Sequence, residues 1–426
     1  MNNTQNKVIV NNTQNKVIVN TAQSELKLKD VKSDFPIFRT YPNLVYLDNG
    51  ATTQKPQAML DALNDYYISK NSNIGRGVYQ LADLSEKSYE QSRTTVAKFI
   101  GTQPENIIFT HGTTDSINQV AFIAGQILQP GQKIVLSIFE HHANILPWQR
   151  LAQQNQCEII FIEDEFLLAN PNQLPTSFWD NVGLVALSHV SNVTGQVHPI
   201  KLWSELAKKY GALISIDGAQ GVTAEVVNLS DIACDFYSFS AHKLYGPMGV
   251  GVLYIDSKLV NSEISPLMLG GAIIQEVEKQ HYSLLDDFHR FEAGTPNVAN
   301  VYAFGKTLEY LNSNNWLALL EKCHTLNNYL LNKLEETSDI RLLTPKYLPT
   351  SHITSCTVKG IHAHDIGTFL SNEGIAVRVG KHCTYPLHSF LGVNSSVRAS
   401  IGIYNTYEDI DFFIDKIQKA QQFFGE

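Results

Sequence analysis

From about Asp34 onward, short apolar runs rich in β-branched residues alternate with longer stretches of helical periodicity. Residues 107–109, 133–136, 184–187, 213–216, 236–239 and 249–255 each read as a brief buried strand. Helix-like segments lie between them, such as residues 84–100, which run into Gly101, a residue suited to stopping a helix. Alternation of this kind predicts an α/β protein with a mostly parallel sheet covered by helices on both faces. After about Asn300 come further long helical stretches and a few strands, which predict a second, smaller α+β domain packed closely on the first.

The N-terminus follows a different pattern. The nine residues NNTQNKVIV at positions 2–10 recur unchanged at 11–19. Each copy offers only the apolar patch KVIV, too little for a core. This predicts a disordered or weakly ordered extension over residues 1–25, with a docking tail as the alternative.

Composition narrows the function. The 426 residues are 43% hydrophobic, enough for a large core. A net charge of −9 without a basic tract gives no footprint for nucleic acid. No run of eighteen apolar residues offers a membrane span, and the polar start lacks a signal-peptide pattern. The five cysteines, Cys157, Cys234, Cys323, Cys356 and Cys383, form no CxxC pair, which argues against a zinc site or a disulfide framework. No metal is expected, and a reducing, cytoplasmic setting fits best.

Candidate chemistry concentrates where strands end. Asp217 follows the apolar run 213–216, at the strand's carboxyl end, where ligands of open α/β sheets gather. Lys243 follows a second such run and the cluster Ser240-Ala241-His242, just before Gly246-Pro247. A partly buried lysine has a lowered pKa and can bond covalently to an aldehyde. A pyridoxal cofactor needs that lysine, an acid to protonate its ring nitrogen and donors for its phosphate. The pair alone reads equally well as a capping acid and a solvated lysine. The segment 110–118 (THGTTDSIN) adds weight: Gly112 permits close approach, and Thr113 and Thr114 bring hydroxyls to a helix N-terminus that favours an anion. His141, in Glu140-His-His-Ala-Asn144, follows another strand and could stack on an aromatic ring or shuttle protons. Asn192, at the strand end His189-Val-Ser-Asn192, could hydrogen-bond a ring oxygen.

Cys383 lies beside Lys381 and His382 and near Arg378, positive neighbours that favour a reactive thiolate. The other four cysteines read as small core hydrophobes. Arg398, fifteen residues beyond Cys383, has the guanidinium fork suited to a substrate carboxylate, although a surface ion pair is the ordinary alternative.

From Asp34 to the C-terminus the chain resembles the cysteine desulfurases of the SufS/Csd group, in the class-V aminotransferase-like branch of fold-type I pyridoxal-phosphate enzymes. The resemblance rests on residues 46–53 (YLDNGATT), Gly112-Thr-Thr, Glu140 to Asn144, His189 to Asn192, Asp217-Gly-Ala-Gln220, Ser240-Ala-His-Lys243, residues 290–297 (RFEAGTPN) and Arg378 to Cys383, all in the family's order. It implies a large cofactor domain over residues 45–300 with a seven-stranded, mostly parallel sheet. Residues 26–44 and 301–426 would form the small domain carrying the cysteine.

The resemblance also implies roles. Lys243 would hold pyridoxal 5'-phosphate, Asp217 its ring nitrogen and Gln220 its ring hydroxyl, with His141 stacked on the ring. Thr113, Thr114, Ser240 and His242 would bind the phosphate, joined by Thr295 from a neighbouring subunit of a homodimer. Asn192, Arg398 and Arg76 would bind L-cysteine, and Cys383 would take its sulfur as a persulfide for a SufE-type acceptor in iron–sulfur cluster assembly. Selenocysteine lyase is the alternative. Four positions depart from the family's pattern: Gly50 for alanine, Gly75 for histidine, His111 for arginine, and Lys381 for histidine or glutamine.

Overall fold

The computed structural model describes residues 30–75 and 77–425. The duplicated N-terminal segment and Arg76 lie outside them.

Seven strands form the central sheet: β1 Ile107–Thr110, β2 Lys133–Ser137, β3 Glu158–Ile162, β4 Val182–Ser188, β5 Leu213–Asp217, β6 Phe236–Ser240 and β7 Gly251–Ile255. Their spatial order is β1-β7-β6-β5-β4-β2-β3. All are parallel except β7, which runs antiparallel to both its neighbours. Every residue of β1, β4, β6 and β7 is buried, which is why these runs are continuously apolar or small rather than alternating. Edge strand β3 is different: its pattern climbs from exposed Glu158 to buried Ile162. Its run Ile159-Ile160-Phe161-Ile162 is as apolar as those of the other strands, so the pattern was present although this strand is not among those predicted above.

The helices around this sheet include α1 Gln57–Asp65, α2 Gln80–Phe99, α3 Thr113–Gly125, α4 Leu146–Asn155, α5 Ile200–Lys209 and α6 Val298–Ser313. Helix α2 begins one turn earlier than the sequence predicts, because Tyr79 precedes it without a side-chain cap to mark the start. It stops where expected: Gly101 has φ +67°, and a Cβ there would lie 2.0 Å from Asn228 Oδ1. The boundary expected at residue 300 falls inside α6, which packs on α1 and α2.

The C-terminal part holds α7 Trp316–Glu335, α8 Ala363–Asn372 and α9 Tyr407–Phe424. Between the two parts, an exposed hairpin pairs β8 Ile274–Val277 with β9 Tyr282–Leu284. A four-stranded antiparallel sheet follows, built from β10 Ile340–Leu342, β11 Ile353–Val358, β12 Arg378–Gly380 and β13 Ser396–Ser400 in the order β10-β11-β13-β12. Residues 45–55 bridge the two sheets. Val45 and Tyr46 pair with Ile375 and Ala376, while Asn49 Nδ2 donates to Ser400 O at 2.7 Å. Thr52 and Thr53 then donate to His242 O beside Lys243. Phe35 packs on Tyr245 and Tyr404, tying the segment before this bridge to the same seam. Among the described residues no helix is long and apolar enough to cross a membrane.

One buried ion pair fixes the segment that carries Thr295. Arg93, fully buried on α2, meets Glu292 with Nη1–Oε1 at 2.7 Å and Nη2–Oε2 at 2.9 Å. Glu292 also accepts from Phe109 N at 2.6 Å and Tyr89 Oη at 2.9 Å. Burial pushes the Glu292 carboxyl up, but Arg93 and these donors outweigh it and hold it below its ordinary 4.5. Its contribution to stability is therefore complete above about pH 4.5 and is lost as the pH falls through the lowered folded value. Glu292→Ala removes the buried partner of a guanidinium that then keeps only the half-exposed Glu90 and the Ile107 carbonyl, and is expected to lower the unfolding free energy by about 3 kcal/mol. Urea denaturation measures this, and an unchanged midpoint would show that Arg93 does not depend on Glu292.

Candidate active site

The carboxyl ends of β1, β2, β4, β5 and β6 surround a cavity of about 190 Å³. Its lining includes Thr113, Thr114, His141, Asn192, Asp217, Gln220, Ser240, His242 and Lys243. Nine residues that the sequence singles out, from five separate segments, thus share one wall. Thr295 is exposed and lies elsewhere, and Arg398 sits behind the wall rather than on it.

Lys243 ends a short turn, Ala241–Lys243, that follows β6. Burial lowers its ammonium pKa to about 8; Asp217 opposes the shift, and Arg398 and Arg378 add to it. A substantial fraction of a nucleophilic neutral amine is therefore present near neutral pH. The turn is held from outside: Lys55 Nζ donates to His242 O at 2.8 Å, alongside Thr52 and Thr53. Asp217 closes β5 and is buried, its Oδ1 accepting from Ala219 N at 2.9 Å. Burial raises its carboxyl pKa, while the Lys243 charge pulls it down.

Two buried polar atoms on this wall have no partner among the described residues. Gln220 donates through Nε2 to Gly50 O at 2.7 Å, which leaves its Oε1 bare. His242 Nδ1 is bare as well. Buried polar atoms are rarely left unpaired, so these two are available to a ligand. At the other end of the cavity, Ser240 Oγ meets both Thr113 N (2.8 Å) and Thr113 Oγ1 (2.7 Å) at the start of α3, where a helix terminus favours an anion.

His141 is neutral. Burial lowers its pKa to about 3, and the Lys243 and Arg398 charges add to that. Its Nδ1 accepts from Ala143 N at 3.1 Å, so the ring proton resides on Nε2. The preceding Glu140, for which sequence reasoning assigned no role, is fully buried under this turn. Ser137 Oγ donates to its carboxylate, as do Asn144 Nδ2 at 2.7 Å and, more weakly, Ser188 Oγ at 3.4 Å. Burial lifts the Glu140 pKa to about 7 despite these donors.

The C-terminal part places Cys383 at the rim. His142 N donates to Cys383 O at 2.8 Å, and Asn192 Nδ2 donates to His382 O at 2.9 Å. His142 also stacks on Tyr385 (5.2 Å between centroids) and accepts from Tyr385 N at 3.1 Å. Lys381 Nζ lies 4.6 Å above the Tyr385 ring. The thiol is exposed and close enough for its charge to raise the pKa values of Lys243 and Arg398. His382 and Cys383 both adopt left-handed backbone, φ 48° and 57°, at a cost of about 1–2 kcal/mol each. Of the other cysteines, Cys234, Cys323 and Cys356 are buried as expected, but Cys157 is only half-buried, near the start of the edge strand β3.

Arg398, on β13, donates to Asn192 O at 2.9 Å and Asp48 Oδ1 at 3.3 Å; its buried Nε has no partner among the described residues. Burial lowers its pKa to about 10. Gly50 gives the guanidinium room, since a Cβ there would stand 3.2 Å from both Cζ and Nη2. The other departures lie further out: His111 is exposed and pairs with Asp115 at 3.0 Å, and nothing lies within 4 Å of a Cβ at Gly75.

Comparison with known proteins agrees with this arrangement. The family model for class-V aminotransferases matches residues 45–413. A probable cysteine desulfurase from Vibrio cholerae is 38% identical over 404 residues, covering 93% of this chain and 98% of the relative. A cysteine desulfurase from Haloferax volcanii is 36% identical, covering 90% of each. Among solved structures, the apo cysteine desulfurase of Thermococcus onnurineus matches with a TM-score of 0.85 at 34% identity, covering 92% of this chain and 97% of that one. The cysteine desulfurase CsdA of Escherichia coli matches with a TM-score of 0.83 at 32% identity, covering 92% and 98%.

Proposed function

The chain belongs to the class-V aminotransferase family and to its cysteine desulfurases, and we propose that it moves sulfur from free L-cysteine to Cys383, using pyridoxal phosphate held by Lys243 and Asp217. The observation that carries this reading is the placement of Cys383. A loop of the C-terminal part is bonded through its own main chain to His142 and Asn192, beside the cavity that holds the buried lysine–acid pair.

The residues fit the cofactor. A buried acid suits a protonated pyridine nitrogen, and the bare Gln220 Oε1 suits the ring hydroxyl. Thr113, Thr114, Ser240 and the bare His242 Nδ1 suit the phosphate, and neutral His141 suits the ring face. When bound, pyridoxal phosphate supplies an electron sink conjugated to the substrate's Cα.

The chain's own groups supply the rest. Arg398, which lies just behind the wall and is bonded to Asn192 O, receives the substrate carboxylate together with Asn192. The Lys243 amine, neutral above about pH 8, takes and returns the Cα proton. His141, neutral with its proton on Nε2, offers a hydrogen bond from that atom without first being charged. The Cys383 thiolate attacks the substrate sulfur, so an S–S bond forms as the substrate's Cβ–S bond breaks. The three-carbon remainder gains a proton at Cβ and leaves as alanine, and the sulfur stays as a persulfide.

The homodimer belongs to this proposal: Thr295 is exposed and off its own cavity, so it is free to reach the phosphate of a second copy. The exposed thiol likewise suits delivery to a SufE-type acceptor for iron–sulfur cluster assembly. The named relatives are cysteine desulfurases, which disfavours selenocysteine lyase. Incubating the cofactor-loaded protein with L-cysteine is expected to release alanine and leave one extra sulfur on the peptide containing Cys383, read by mass spectrometry. Alanine release with the added sulfur on another cysteine would refute the assignment.

A further inference from the structure

Behind the cysteine lies a buried polar circuit that the reaction as described does not use. Thr384, His388 and Ser396 are fully buried, and His382 is nearly so. Thr384 Oγ1 donates to Lys381 O at 2.8 Å. His388 Nδ1 lies 3.1 Å from both Thr384 O and Thr384 Oγ1, and its Nε2 lies 3.1 Å from Ser396 Oγ. Ser396 Oγ is in turn 3.0 Å from His382 Nε2.

The hydrogen positions follow from one acceptor. Thr384 O can only accept, so His388 Nδ1 carries a hydrogen. Burial lowers the His388 pKa and takes that of His382 to about 2, so both rings are neutral. His388 Nε2 is then an acceptor and takes the Ser396 hydroxyl hydrogen. Ser396 Oγ accepts from His382 Nε2. Every bond in the circuit therefore points the same way, from His382 through Ser396 and His388 to Thr384, an arrangement in which each bond polarises the next.

Cys383 is the residue spanned by this circuit, because its two sequence neighbours, His382 and Thr384, are the circuit's two ends. On its outer side the loop's carbonyls are already taken by His142 and Asn192. Left-handed backbone at two successive non-glycine residues persists only where surrounding contacts over-determine it. Building on the assignment of Cys383 as nucleophile, we propose that Ser396 and His388 are positioning residues that hold the Cys383 thiol in its attacking geometry.

The test uses the cofactor-loaded enzyme with Ser396→Ala, and with Thr384→Val, which keeps the side-chain shape and removes a different link. Each is expected to cut single-turnover persulfide formation and kcat about 10- to 100-fold, because a small misplacement of a reacting atom is costly. The cofactor's visible absorbance and the KM for cysteine should stay close to those of the parent, with only the modest drop in urea midpoint that the loss of one buried hydroxyl entails. Parental persulfidation rates in both variants would overturn the proposal. So would a loss of absorbance together with a rise in KM and a large loss of stability, which marks a general structural role. Cys383→Ala runs alongside: if it forms alanine at the parental rate, the nucleophile assignment itself fails, a result distinct from either outcome at Ser396.

Discussion

Lys243→Ala is expected to give a folded protein that keeps no visible cofactor absorbance after dialysis and makes no alanine from L-cysteine. The side chain arises from a turn held by main-chain and lateral contacts: four donors from Thr52, Thr53 and Lys55 converge on His242 O, and Leu244 N returns to Ala241 O. None of these uses the Lys243 amine, so the turn survives its loss. What disappears is a buried amine whose pKa burial has lowered to about 8, the group able both to bond an aldehyde and to move the Cα proton. Loss of both roles is expected to reduce turnover by at least about a thousand-fold. Added alkylamines should restore part of the activity if proton transfer is the larger loss. Retention of the visible band after dialysis, together with turnover near the parental rate, would place the reacting amine elsewhere.

The sequence revealed the central sheet because strands buried on both faces leave continuous apolar runs. The edge strand Glu158 to Ile162 carries such a run too, Ile159-Ile160-Phe161-Ile162, and was legible but passed over. Nine cavity residues were legible for a related reason: each sits just past a strand end or helix start, and such positions can be located from a single sequence. The partners that tune those residues were not legible. Glu140 gains its raised pKa chiefly from complete burial, with the Asp217 charge adding to it, and both are properties of packing. Arg93 and Glu292 meet across 199 positions, and Lys55 reaches His242 across 187. Ser396 falls between two imidazoles only because β13 lies beside the cysteine loop. Local pattern thus located the groups that touch a ligand, while long-range contacts set their charge and aim.

That division bears on the second large effect, Cys383→Ala. The loop's anchors are the carbonyls of residues 382 and 383 and the side chains of His382 and Thr384, none of which includes the thiol. Alanine and cysteine have similar steric cost in left-handed backbone, so the φ of 57° should persist in the variant. The cavity and Lys243 are unchanged, and the variant should bind cofactor with parental absorbance and still show a spectral response when L-cysteine enters. Without the sulfur acceptor the substrate's Cβ–S bond has no nucleophile to receive the departing sulfur. Alanine formation is expected to fall by at least about a hundred-fold, with no extra sulfur on the protein by mass spectrometry. Neither Cys234, Cys323 nor Cys356 can substitute: all three are buried, and burial raises their thiol pKa values far from the reactive range. Parental alanine release from this variant would mean that sulfur leaves without passing through Cys383, and the shared geometry of lysine cavity and cysteine loop would then need another purpose.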